Sequence, residues 1–284
     1  MGSGSWTKDS FTTYSKSIGR SVSTDGVVTS DLSNQEMFVA RKLDSTLDPK
    51  NVIRECRDSD EHPNTVPIIL ALDVTGSMGS AAVETAKKLN VIMTNLYDSV
   101  KDIEFMIMGI GDLSCDHTPI QASQFESDIR IAEQLDKLYF EFGGGGNSYE
   151  SYTAAWYFGS RHTDLDCWKR GKKGIIITMG DERINPYLPV NTLNSTLGDS
   201  CQADIDTKIL YEEANGKFDI YHIDVNHGYR WDSGVDASWR CVLDEKHYLK
   251  ANLDDIADVI TNIIMNSVLD SQDVTVQTGD GIVW

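Results

Sequence analysis

Asp73, Thr75 and Ser77 occupy alternate positions in LALDVTGSMGS, Leu70 to Ser80, between an apolar run and a stretch of helical periodicity. A carboxylate and two hydroxyls spaced in this way can all turn inward from one loop. Together they offer charge and neutral oxygen donors to a hard cation such as Mg²⁺, which prefers oxygen ligands and retains waters. Helix capping is an equally simple use of the same residues, with Ser77 or Ser80 accepting from the first free backbone N–H groups. Other chemistries fit less well. An aspartyl-phosphate enzyme needs a second carboxylate two residues after the first, where this chain has Thr75. The serine-hydrolase elbow G-x-S-x-G also fails at Thr75, and the Gly-Lys-Ser/Thr ending of a phosphate-binding loop is absent.

Further polar residues gather at the ends of the other apolar runs. GIGDLSCDHTPIQ supplies Asp112 and Asp116, and ITMGDE supplies Asp181. GGGGNSYES places Gly143 to Gly146 before Asn147, Ser148 and Glu150, where the backbone could approach a ligand closely. VIRECRDSDEHPNT is either a solvated linker or a source of guanidinium forks, from Arg54 or Arg57, for the strand-end carboxylates or a bound acidic group. His117, His222 and His227 form no H-x-x-H pair, and the five cysteines form no C-x-x-C pair. A zinc site is therefore not expected, and reduced thiols are.

Elements that could position these residues follow in regular order. PIILALD, DIEFMIMGIGD, KKGIIITMGDE and KFDIYHIDV read as buried strands, and HYLKAN as a short one. Between and after them, AAVETAKKLNVIMTNLYDSV, FESDIRIAEQLDKLYF, YESYTAAWYFGSRH, DIDTKILYEEANG and LDDIADVITNIIMNSVL read as helices. The second is expected to bury Ile129, Ile131, Leu135 and Leu138. This alternation predicts an α/β, Rossmann-like doubly wound sheet, mostly parallel, with helices on both faces. Residues 1–65 read as a polar extension, 66–268 as the domain and 269–284 as a tail. Ligands of such folds sit beyond the C-terminal strand ends, where this chain is acidic.

The 284 residues carry a formal net charge of −19, which disfavours nucleic-acid phosphates as the main partner. The longest apolar runs are strand-sized, well short of the roughly 20 residues of a membrane helix. No signal-peptide pattern is evident, so a cytoplasmic location is expected.

PIILALDVTGSMG resembles the first strand and loop of von Willebrand factor type A domains, whose metal-ion-dependent adhesion site uses D-x-S/T-x-S. The resemblance runs from about residue 66 to about residue 268. It implies a Rossmann-like domain that is not an enzyme and that binds Mg²⁺, or Mn²⁺ or Ca²⁺, through Asp73, Thr75 and Ser77. In the family's second loop a threonine follows the glycines, and here Asn147 or Ser148 stands in its place. The third loop commonly reads Thr-Asp-Gly. Met179 occupies that aspartate's position, leaving Asp181 to substitute from two residues on. Asp112, Glu150, Arg54 and Arg57 would lie around the metal ligands. The resemblance further implies a partner protein whose carboxylate completes the metal shell. Because bacterial relatives often work beside MoxR-type AAA+ ATPases, such an ATPase is a candidate partner. A phosphoesterase-like hydrolase using the same acidic strand ends, with Glu150 or Asp112 as base, is the alternative. An assembly protein with a vestigial site is another.

Overall fold

A computed structural model describes residues 4–141, 148–226 and 231–277. At its centre is a six-stranded sheet formed by β1 (Val66–Asp73), β2 (Ile103–Ile110), β3 (Ile120–Ala122), β4 (Gly174–Gly180), β5 (Phe218–Asn226) and β6 (Tyr248–Asn252). Their spatial order is β6-β5-β4-β1-β2-β3, and every neighbouring pair is parallel except β2 with β3. The predicted α/β doubly wound class is what the structure has.

Burial on both faces explains the near-continuous apolar strands. Along β1, Ile68, Leu70 and Leu72 join one apolar cluster while Ile69 and Ala71 join the other, the period-two alternation of a strand. The first cluster is covered by α3 (Gly79–Tyr97) and α8 (Ile256–Gln277), together with the N-terminal segment carrying α1 (Lys8–Ser17) and α2 (Asn34–Met37). On the second face lie α5 (Thr153–Arg161), α6 (Thr207–Asn215) and α7 (Ser233–Arg240).

Two features differ from the sequence reading. The helix expected across 125–140 is confined to α4 (Arg130–Leu135), because the preceding chain is drawn to the sheet edge. Phe105 and Glu126 exchange backbone hydrogen bonds there, at 2.8 and 3.0 Å. Ile131, Leu135 and Leu138 are buried as expected, while Ile129 is only partly so. The antiparallel strand β3 is the other difference; at three residues it is too short to show a period.

The polar N-terminal segment is anchored by specific contacts. Trp6 Nε1 donates to buried Asn90 Oδ1 of α3 at 3.0 Å, and Arg20 Nη1 lies 2.9 Å from both carboxylate oxygens of Asp136. Residues Arg54–Cys56 pair in parallel with Thr163–Leu165, outside the main sheet.

Candidate metal centre

The chain leaves β1 for β2 and β3, then returns to add β4 on the other side of β1. Strand order reverses at the β1/β4 boundary, and the crevice beyond their C-terminal ends is where such sheets bind ligands. Asp73 ends β1 at that point, and Asp181 follows β4.

Asp73 continues the Ile69–Ala71 face of β1 and is fully buried. Its Oδ1 accepts from the Thr75 backbone N–H at 2.9 Å and from Thr75 Oγ1 at 2.5 Å, an Asx turn that fixes the loop. Its Oδ2 accepts from the Tyr152 hydroxyl at 2.8 Å. Burial pushes the Asp73 carboxyl up to about 7, the Thr75 bonds oppose the rise, and the charge of Asp181 adds to it. Ser77 is exposed, and its Oγ donates to Asp181 Oδ1 at 3.1 Å, which joins the first loop to the third.

Met179 is fully buried in the cluster covered by α3 and α8, so hydrocarbon fills the position at which the resemblance expects an aspartate. Gly180 faces the other way, towards Tyr152. A Cβ on Gly180 would stand 2.0 Å from the Tyr152 hydroxyl oxygen, so only glycine leaves that hydroxyl room to reach Asp73. The same hydroxyl accepts from the Glu182 backbone N–H at 3.2 Å.

Tyr152 was not singled out from the sequence. Within YTAAWYF it reads as one more apolar residue of a helix, and nothing local signals that its hydroxyl turns to a strand end. It is fully buried, with ring centroids 5.1 Å from His222 and 5.4 Å from Trp239.

Around this centre lie more acids. Glu150 is 8% exposed and its Oε2 has no hydrogen-bond partner among the described residues. Burial, followed by the charges of Asp73, Asp116, Asp112 and Glu182, pushes its carboxyl up to about 10. Asp112 Oδ1 accepts from Ser114 N–H at 2.8 Å, and Asp116 Oδ2 accepts from Asp112 N–H at 2.7 Å, so these carboxylates also shape their own loop. Burial raises the Asp116 and Glu182 carboxyls as well.

The structure therefore brings Asp73, Thr75, Ser77 and Asp181 together, with Glu150 in electrostatic reach. Ser148 is exposed on the bend before Tyr149. Asn147 and Gly143 to Gly146 lie outside the described residues, although Thr75 bridges to Glu141 where the described chain breaks off. Arg54 and Arg57 are engaged elsewhere. Arg54 Nη2 donates to the carbonyls of Thr46, Asp48 and Ala122, while Arg57 pairs with Glu55, Asp164 and Asp166. Their strand is held in register with Thr163–Leu165, which commits both guanidinium groups to that neighbourhood.

Among the described residues no three His, Cys, Asp or Glu side chains are placed to hold a metal. Two carboxylates and two hydroxyls make an all-oxygen donor set, which suits a hard cation rather than zinc or copper. No helix among the described residues is long and apolar enough to cross a membrane.

No family model and no curated protein matches this chain. Similar solved structures include the pilus adhesin SpaC of Lactobacillus rhamnosus GG in its open conformation, at TM-score 0.46 and 15% identity over 75% of this chain. The match spans 30% of the SpaC chain, under a third of its length. The vWF domain of the type V pili tip protein Mfa5 of Porphyromonas gingivalis matches at TM-score 0.42 and 12% identity, covering 78% of this chain and 98% of that one. Proximal thread matrix protein 1 of the mussel byssus matches at TM-score 0.43 and 13% identity, over 70% and 47%. With Asp73 and Asp181 at the switch point of a sheet of five parallel strands and one antiparallel edge, the chain has the Rossmann-like, doubly wound fold that the sequence resemblance implies.

Proposed function

We propose that this chain is a non-enzymatic protein-binding module in which Asp73, Thr75, Ser77 and Asp181 hold a divalent cation of the Mg²⁺ class. Asn147 or Ser148 would complete the set, directly or through water. The observation that carries this reading is the buried carboxylate of Asp73 at the switch point, which no ion pair reaches among the described residues. Burial and the Asp181 charge both disfavour its ionised form. A cation would remove that cost. Thr75 orients Oδ1 of Asp73 and Tyr152 orients Oδ2, so the carboxylate is fixed before anything binds. Ser77 presents its hydroxyl on the exposed side, towards an incoming group. The cation would supply an open coordination position for a carboxylate of the partner protein. A MoxR-type AAA+ ATPase is one candidate for that partner, on the family resemblance alone, and a cytoplasmic location accords with such a partner.

The hydrolase alternative finds less support. Burial and acidic neighbours push the carboxyl of Glu150, one of its two candidate bases with Asp112, up to about 10, which disfavours the ionised form that a base requires. Calorimetric titration of the full chain with Mg²⁺ and Mn²⁺, for wild type and Asp73→Ala, tests the proposal. Saturable binding lost in the variant is expected; equal heats in both would overturn it.

A further inference from the structure

The densest basic run in the chain, Lys169, Arg170, Lys172 and Lys173, turns around Gly171 at the end of the sheet opposite Asp73. Beside it, the start of β1 (Val66), the second residue of β4 (Ile175), the turn Ser99–Asp102 and residue Val268 of α8 enclose a cavity of about 630 Å³. That volume suits a small organic ligand.

The floor of the cavity is apolar: Cys167, Ile175 and Val268 line it at 1%, 2% and 6% exposure. Its rim is cationic, with Lys101, Arg170, Lys172 and Lys173 against Asp102 and Asp219. Arg170 is fixed in place, because its guanidinium pairs with Asp58 and donates to the Thr65 carbonyl at 2.7 Å. Lys173 Nζ lies 3.2 Å from Asp219 Oδ1, and Lys101 is exposed with no carboxylate partner among the described residues.

A net charge of −19 repels anions from most of the surface, and four cations facing Asp58, Asp102 and Asp219 make the surroundings of this cavity less repulsive to them. An apolar body gains from the floor, and an anionic head gains from the rim. A neutral molecule forgoes the second gain. We propose that this cavity binds a small organic anion, an acidic head group on an apolar body.

The probe is 8-anilinonaphthalene-1-sulfonate, with uncharged N-phenyl-1-naphthylamine as its counterpart, each titrated by fluorescence into the full chain. Saturable one-to-one binding of the sulfonate is expected, with the neutral amine binding at least about tenfold more weakly. Reversing two exposed charges together, Lys101→Glu with Lys173→Glu, is expected to weaken the sulfonate by about tenfold or more. Ser99→Trp, at an exposed rim position, obstructs the mouth and is expected to weaken it too. Thermal melting of each variant verifies folding. The proposal is overturned by no saturable binding, by equal affinity for the neutral amine, or by binding unchanged in both folded variants.

Discussion

Asp73 and Asp166 are the same side chain at opposite ends of the sheet, and their surroundings act on them in opposite directions. Asp166 receives Lys169 first, at 2.7 Å, then the Asp58 backbone N–H and Arg57, each at 3.0 Å, and its carboxyl is pushed down to about 2. Asp73 receives two hydroxyls and a backbone N–H but, among the described residues, no cation, and burial pushes it up to about 7. At the lower end, Asp58 also accepts from the Thr65 N–H and pairs with Arg170, so charge there ties the chain to the entrance of β1. At the upper end the Asp73 and Asp181 carboxylates are held by hydroxyls, Asp73 by Thr75 and Tyr152 and Asp181 by Ser77. Asp166 is thus compensated by its neighbours, whereas Asp73 has no ion-pair partner among the described residues.

Gly180→Ala strikes the upper end where it is tightest. The new Cβ would meet the Tyr152 hydroxyl oxygen at 2.0 Å and two of its ring atoms at 2.4 Å, and Tyr152 is fully buried. Overpacking of this kind is expected to cost about 3 kcal/mol, read as a lower urea midpoint. Gly171→Ala is the matching change below. There φ is +68° but no atom lies within 4 Å of the added Cβ, so only backbone strain remains, about 1 kcal/mol. Equal losses from the two glycines would show that crowding around Tyr152 does not distinguish the ends.

Paired asparagine substitutions address the charges themselves. Asp73→Asn keeps an acceptor for Thr75 and deletes a buried charge that lacks an ion-pair partner among the described residues. In EDTA it is expected to leave stability unchanged or raise it by about 1 kcal/mol. Asp166→Asn deletes a compensated charge still in contact with water and is expected to lose about 1 kcal/mol, the scale of a screened surface network. Shifts of the same sign and size would contradict the contrast. Adding Mg²⁺ sharpens it: wild type and Asp166→Asn are expected to gain melting temperature, and Asp73→Asn is not.

How far the sequence discloses each region follows from the range of the forces involved. β1, β2, β4 and β5 are strands buried on both faces, so continuous apolar runs reveal them. The packing of Trp6 against Asn90, 84 residues apart, leaves no local pattern, and the segment carrying it reads only as polar. Asp73, Thr75 and Ser77 stand out because one loop carries all three. Asp181 is found through the displaced aspartate at Met179, and the side on which each residue falls follows from strand alternation. Tyr152 is the opposite case, because its role arises from the space above Gly180, and a tyrosine at the head of an apolar helical run carries no mark of that. Arg54 and Arg57 looked available to the acidic edge because charge is visible in a sequence while the pairing of their strand with Thr163–Leu165 is not.

The smallest expected effect is the pH response of the lower end, and its sign follows from the direction of the Asp166 shift. The carboxyl has an ordinary value of 3.8 and a folded value of about 2, so between these pH values the unfolded chain binds more protons than the folded one. The contribution of Asp166 is then complete above about pH 4 and is lost as pH falls through about 2. Other acids are lowered as well, such as Glu213 by its bond to Arg161, so the informative quantity is the difference between wild type and Asp166→Asn. That gap, about 1 kcal/mol at pH 6, is expected to close by pH 2 in urea titrations at fixed ionic strength. A gap that persists at pH 2 would mean that Asp166 acts through shape or helix capping rather than charge. Asp166 would then lose the electrostatic character that sets it against Asp73.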